Sequence, residues 1–305
     1  MSKKLISHVL IDWGTSSFRL WCVNAQGELL FEKNEPLGMS KLKPFDYEPL
    51  LEEMLTQLGI DVNVPVLICG MAGAAQGWQE ATYIDLPTQL DDLSSHAVKV
   101  RTQGRDVRIL PGLAQRSCVE PDVMRGEETL LLGALSKGAV YENYCMPGTH
   151  SKWVQMQEGS VLKFQTFMTG ELFAFLNLHS TLSPFLNGED KALHKHAAFK
   201  VAVKEIVVKP SLLMNVLFSI RSGALLFPIE DKLASLARLS GLLIGAELAT
   251  MKDKSANTIG LIAQGELADH YSTAMEILEM PFEMIDSHDL ALSGLKLSAD
   301  KLWAN

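Results

Sequence analysis

Asp12-Trp13-Gly14-Thr15-Ser16-Ser17 places a carboxylate directly before a turn of small and hydroxyl-bearing residues. Backbone N–H groups in such a turn can converge on an anion, and the hydroxyls add donors. A carboxylate beside them would repel a bare phosphate. The combination suits a phosphate that travels with a divalent cation, because Mg2+ takes few carboxylates and keeps several waters. The competing reading is a hairpin turn in which Asp12 satisfies backbone donors, as Asx turns do. About half a chain later, Gly148-Thr149-His150-Ser151-Lys152 forms a second donor-rich turn, and this one carries a cation. Two such turns suit a polyphosphate. No G-x-x-x-x-G-K-[ST] string is present, so the expectation is phosphate held by hairpins rather than by a P-loop.

The elements that must position these turns follow from periodicity. Residues 8–12, 18–23 and 28–32 read as three short strands in a meander, and 47–58 as a helix with Leu50, Leu51, Met54, Leu55 and Leu58 on one stripe. The apolar run 64–69 suits a strand buried on both faces and ends in the glycine-rich loop Gly70-Met71-Ala72-Gly73. A strand at 107–110 and an apolar helix at 126–138 close the first half. The plan then restarts: strand 144–146, a Gly-Thr turn, and two further strands. The second half is mostly helical from 170 to 251. A buried strand at 258–263 meets Gln264-Gly265 and a helix, a unit where the anionic or ribose part of a nucleotide commonly rests. The last helix covers about 288–303.

With 305 residues the chain has room for two domains, each able to bury a core. A net charge of −9 argues against general affinity for nucleic acid or an anionic membrane. No apolar run approaches the roughly 20 residues that cross a bilayer, and the first residues lack the apolar core of a signal peptide. Cys22, Cys69, Cys118 and Cys145 are scattered without C-x-x-C spacing, which fits reduced thiols in a cytoplasmic protein.

Asp12-Trp13-Gly14-Thr15 with Arg19, "PDVMRGEETLLLGAL", "MPGTHSKWV", "FMTGEL" and "SGLLIGAEL" resemble the 2-dehydro-3-deoxygalactonokinase family, within the sugar-kinase, Hsp70 and actin superfamily. The resemblance implies an α/β fold of two ribonuclease-H-like domains with a cleft between them. Residues 1–138 would form the substrate and phosphate side and 139–305 the nucleotide side, with the last helix packing back on the first domain. It implies ATP-dependent phosphorylation of 2-dehydro-3-deoxy-D-galactonate to its 6-phosphate, with ATP and Mg2+ as cofactors. Asp12 would hold Mg2+, largely through water. Gly14, Thr15 and Ser16 would approach the transferring phosphate, and Gly148, Thr149, Ser151 and Lys152 the other end of the ATP phosphates, with Gly265 near the adenosine. The base that accepts the sugar hydroxyl's proton falls in Arg125-Gly126-Glu127-Glu128-Thr129, with Glu127 first and Glu128 the alternative. Acids at a helix N-terminus also suit its dipole with no catalytic role.

A sugar acid needs a cation or a cluster of N–H donors. Arg19, Arg125 and Arg221, with the loop ending at Gly73, are the candidates, because the guanidinium fork matches a carboxylate. Trp78 beside that loop could wall a sugar, although packing is the ordinary use of a tryptophan. The family's Gly-Ser after this point is Gly73-Ala74-Ala75 here, which leaves the related acid 2-dehydro-3-deoxygluconate open as substrate. A nucleotide or polyphosphate hydrolase of the same fold is the second reading, and a non-catalytic sugar or nucleotide sensor the third. His194 and His196 flank Lys195 on a polar segment, where a solvated face is expected rather than a metal site. The expected partners are a sugar acid and ATP, without nucleic acid or membrane, and a homodimer stays open.

Overall fold

The strand His8–Trp13 (β1) is apolar at Val9, Leu10, Ile11 and Trp13, all fully buried, so both of its faces are covered. In this computed structural model, which describes residues 5–186, 191–227, 231–252 and 257–303, β1 pairs antiparallel with β2 (Phe18–Val23), and β2 with β3 (Leu29–Glu35). The helix α1 (Tyr47–Gln57) leads to β4 (Val66–Gly70), which is parallel to β1 and buried at every residue. The chain from 84 to 99 makes three two-residue strands, β5 (Ile84–Asp85), β6 (Thr88–Gln89) and β7 (Val98–Lys99). After them β8 (Val107–Ile109) extends the main sheet in parallel with β4, giving the order β3-β2-β1-β4-β8-β7. A separate small sheet, β10-β9-β5, contains β9 (Leu113–Gln115) and β10 (Asp122–Met124). The helix α2 (Glu127–Ser136) follows.

Together with residues 157–163 and the C-terminal helix Leu290–Leu302, these elements form the first of two compact units. On one face of its sheet, Trp13 and Phe18 pack in one core with Tyr47, Leu51 and Leu55 of α1. Each such side chain contributes on the order of 1.5–3 kcal/mol by leaving water. The other face carries Leu10, Trp21 and Leu67 against Ala291 and Leu295 of the C-terminal helix. That helix crosses α2 at a contact made of backbone: a Cβ on Gly133 would strike the Leu290 carbonyl, and one on Gly294 the Thr129 carbonyl.

The second unit, 141–156 with 164–286, repeats the plan. Its strands are β11 (Asn143–Met146), β12 (Ser151–Gln157), β13 (Ser160–Phe167), β14 (Ile259–Ala263) and β15 (Phe282–Asp286). They lie in the order β13-β12-β11-β14-β15, antiparallel from β11 to β12 and parallel from β11 through β14 to β15. This is the order of β3-β2-β1-β4-β8, so both halves have the ribonuclease-H-like α/β topology. The tip of the β12–β13 hairpin counts with the first unit, where Ser160 and Val161 pair with Gln89 and Thr88 of β6. Between β13 and β14 come α3 (Thr169–His179), α4 (Ala197–Val208), α5 (Leu213–Leu226) and α6 (Lys232–Lys252), and α7 (Gly265–Ile277) joins β14 to β15.

One expectation is corrected here. Leu233–Lys252 in α6 is long and apolar enough by length and hydropathy to match a bilayer, with mean hydropathy 1.3. Its most apolar stretch is 72% buried in the second unit, where the helix packs against α4 and α7.

Gly294→Val tests the backbone crossing that holds α2. Overpacking of this kind costs about 1–3 kcal/mol, so the variant should melt at a lower temperature than the parent. An unchanged melting curve would mean the two helices do not meet so closely.

Candidate active site

Asp12 sits near the end of β1, directly across from Arg19 on β2 and beside Cys69 on β4. Arg19 donates to Asp12 Oδ2 from Nη2 at 2.5 Å and from Nε at 3.2 Å, and the Cys69 thiol donates to Oδ1 at 3.8 Å. The Arg19 guanidinium also lies 5.4 Å from the Trp21 ring. Beyond Asp12, the turn is closed by Gly14 N–H donating to the Ser17 carbonyl at 2.9 Å. Met39 and Ser40 N–H groups take the Gly14 and Thr15 carbonyls, both at 3.0 Å. Thr15, Ser16 and Ser17 remain exposed.

Two glycines bring α2 to this point. Gly70, at φ +87, ends β4, and a Cβ there would lie 3.1 Å from Asp12 Oδ1. Gly126, at φ +107, precedes α2, and a Cβ there would lie 3.5 Å from the Gly70 Cα. Both conformations are ones that L side chains rarely adopt. The next two residues are acids. Glu128 is fully buried, its two carboxylate oxygens each 2.8 Å from the Gly126 N–H, and Thr129 Oγ1 donates to it at 3.3 Å. Burial, and then the neighbouring Glu127 charge, push its pKa up to about 8. Glu127 is half-buried and accepts the Arg125 N–H at 3.0 Å. The Cys69 thiol is pushed up by burial, then by the charges of Asp12 and Glu128.

In the second unit the corresponding turn runs from Pro147 to His150. Glu171 N–H donates to the Thr149 carbonyl at 2.9 Å, and His150 Nε2 lies 2.5 Å from Glu171 Oε2. At Gly170 a Cβ would strike the Gly148 carbonyl, so the start of α3 is pressed against the turn. Below it, Glu247 of α6 is buried and accepts from Trp153 Nε1 at 2.8 Å, from Tyr271 Oη at 2.8 Å and from Thr169 Oγ1. The Ser151 hydroxyl is hydrogen-bonded to Tyr271 Oη at 2.8 Å. Burial outweighs these donors and raises the Glu247 pKa. A cavity of about 110 Å3 opens beside this network, lined by Gly148, Gly170, Phe173, Leu243, Leu267 and Tyr271 among others.

A family model described as 2-keto-3-deoxy-galactonokinase matches residues 12–297. The chain belongs to this family. It is 42% identical over 299 residues to a probable 2-dehydro-3-deoxygalactonokinase of Rhizobium meliloti (strain 1021), covering 97% of each chain. It is 33% identical to the 2-dehydro-3-deoxygalactonokinase of Escherichia coli (strain K12), covering 89% of this chain and 90% of that one. The crystal structure of a putative 2-dehydro-3-deoxygalactonokinase protein from Sinorhizobium meliloti superposes with a TM-score of 0.92 at 40% identity, covering 98% and 97%.

For a galactonokinase-family chain, the structure sorts the sequence-derived residues sharply. Asp12, Gly14, Thr15, Ser16, Arg19, Glu127 and Glu128 belong to one region of the first unit. Arg125 is buried instead of facing solvent: Nη2 donates to the Ala81 carbonyl at 2.7 Å and its guanidinium lies 4.3 Å from the Tyr83 ring. Its Nη1 sits against Gly73, which is itself buried. Trp78 stacks on Tyr47 with ring centroids 5.8 Å apart. Arg221 belongs to α5 of the second unit, donating to the Thr181 carbonyl at 3.0 Å over the Phe185 ring.

Gly148 lines the cavity, Thr149 is exposed, and Gly265 is the first residue of α7. Ser151 and Lys152 depart from expectation. Ser151 is fully buried on Tyr271, and Lys152 is 4% exposed with Nζ donating to the His150 carbonyl at 3.1 Å. They open a strand whose side chains pack inward, and a turn motif does not show that. Sequence reading also missed Glu247, although an acid on the apolar stripe of "SGLLIGAEL" was its signal.

Glu128 makes stability depend on pH. Its folded pKa of about 8 lies above the ordinary 4.5, so the neutral form stabilises the fold. That contribution is complete below 4.5 and is lost as pH rises through 8, at up to roughly 1.4 kcal/mol per unit. Glu128→Gln, which cannot ionise, should lose less melting temperature than the parent between pH 5 and pH 8. Parallel curves would remove Glu128 as the cause.

Proposed function

We propose that this chain transfers the γ-phosphoryl group of ATP to the terminal hydroxyl of 2-dehydro-3-deoxy-D-galactonate, giving the 6-phosphate and ADP. The observation that carries the reading is the convergence of Asp12, the turn Gly14–Ser17 with its exposed hydroxyls and the Glu127–Glu128 pair across Gly70 and Gly126. Family membership adds the reaction class. Sugar kinases use ATP, with Mg2+ as the usual ion.

Asp12 fits a water-mediated Mg2+ contact. Its carboxylate is part-exposed and its charge is already shared with Arg19, so it can accept from metal-bound water without a deep desolvation cost. The ion, when bound, neutralises phosphate charge. The donors of Gly14, Thr15 and Ser16 orient the transferring group, and Arg19 fixes the rotamer of Asp12. The hydroxyl oxygen forms a bond to the γ-phosphorus as the bond to the β–γ bridging oxygen breaks, and the hydroxyl proton passes to a carboxylate.

Geometry selects that carboxylate before pKa does. Glu127 is half-buried and reachable, whereas Glu128 is enclosed with both oxygens at the Gly126 N–H. Glu127 is therefore the base, and Glu128 sets the backbone from which Glu127 projects. The first unit supplies the acceptor chemistry. In the second, Gly148 and Thr149 face the phosphates, and the cavity beside Gly148 with the start of α7 at Gly265 takes the nucleoside. Ser151 acts through the Glu247 network instead of touching phosphate. Among the arginines, Arg19 is the part-exposed candidate for the substrate carboxylate.

The test is coupled ADP detection with a panel of 2-keto-3-deoxy sugar acids, including the galactonate and gluconate epimers. ADP should form with the galactonate acid and not without an acceptor. Acceptor-independent phosphate release would identify a hydrolase and overturn the reading. Asp12→Asn should lower kcat by about 100-fold or more with the fold intact by circular dichroism, and full activity would remove Asp12 from the site.

A further inference from the structure

The second unit gathers two imidazoles and a carboxylate that the kinase reading does not use. Glu266 and His270 stand one turn apart on α7, with His270 Nε2 4.0 Å from Glu266 Oε2. His194, on the short turn Leu193–Lys195, meets them, its ring edge-on to His270 with centroids 5.4 Å apart. One ligand atom from each of the three residues lies within 4.8 Å of the others. The sequence pattern suggested a solvated His194, but the side chain is only 8% exposed and its Nδ1 has no hydrogen-bond partner. A buried imidazole nitrogen without a partner carries an uncompensated desolvation cost.

We propose that His194, Glu266 and His270 form a binding site for Zn2+ at the edge of the cavity assigned above to the nucleoside, on donor chemistry that does not rest on that assignment. Two imidazole nitrogens and a carboxylate oxygen are a zinc-type donor set, whereas Mg2+ prefers oxygen ligands and keeps its waters. The ligands are oriented from outside the site. The Ala192 N–H donates to Glu266 Oε2 at 2.7 Å, and Phe199 stacks on the His270 ring at 5.8 Å. Such supporting contacts commonly fix metal-binding side chains. Zinc–ligand bonds of about 2.0–2.1 Å at tetrahedral angles bring donors to roughly 3.4 Å from one another. Glu266, 45% exposed on the first turn of α7, has the freedom to close the remaining distance. Glu266 and His270 also line the 110 Å3 cavity, so the fourth position opens to water or to a molecule bound there.

The test uses untagged, chelator-stripped full-length protein, with Zn2+ stoichiometry by elemental analysis and Co2+ as the spectroscopic probe. One Zn2+ per chain and an intense visible Co2+ band of tetrahedral type are expected. His194→Gln and Glu266→Gln should each weaken Co2+ binding at least tenfold. His196→Gln should not, since His196 bonds Asp231 and caps α4. If His194→Gln fails to fold, the exposed Glu266→Gln still decides. Less than a tenth of an equivalent bound, a band that persists in Glu266→Gln, or equal loss in His196→Gln would overturn the site.

Discussion

The active region proposed for the first unit depends on a close backbone approach at Gly70 and Gly126. β1 delivers Asp12, β4 delivers Cys69, and α2 delivers two glutamates. These meet because the backbone between them carries no side chains and adopts positive φ at both glycines. The crossing of α2 with the C-terminal helix, side-chain-free at Gly133 and Gly294, presses α2 into that position. Cys69 records the result, because its thiol feels the charge of both Asp12 and Glu128. The cost is a carboxyl group held away from water with its pKa near 8, the kind of perturbed group that clusters at functional sites.

The second unit solves a similar problem with a different device. Its turn after β11 is held from below by Glu247, whose carboxylate gathers donors from β12, α3 and α7. A buried carboxylate is tolerated when donors satisfy it. The network fixes the Gly148–Thr149 turn against α3 while leaving the cavity beside Gly148 open. Glu128 and Glu247 are thus two buried acids beside the turns proposed to be functional in their own units.

Much of this plan was legible in the chain. The strands expected at 8–12, 18–23 and 258–263 are found at His8–Trp13, Phe18–Val23 and Ile259–Ala263, because apolar runs bounded by polar turns are local signals. The repeated strand plan was visible as well, and the sheet order now states it in hydrogen bonds. The two-residue strands between 84 and 99 were not visible, since two residues have no periodicity. Nor could burial be read where neighbours distant in sequence supply it. Ser151 looked like a phosphate donor until Tyr271, 120 residues later, was placed on its hydroxyl. His194 looked solvated until α7 brought His270 beside it. Arg125 stands in a functional-looking string, and that its guanidinium is buried against Ala81 and Tyr83 was not legible there.

Proton transfer turns on which of two adjacent acids, Glu127 or Glu128, receives the hydroxyl proton. The direct measurement is single-turnover phosphorylation of the sugar acid by Glu127→Gln and by Glu128→Gln, with ATP affinity measured in parallel. The account predicts a loss of roughly 100- to 10,000-fold in the chemical step for Glu127→Gln at unchanged ATP affinity, and a smaller loss for Glu128→Gln. A Glu127→Gln enzyme that keeps its rate while Glu128→Gln loses it would contradict the assignment.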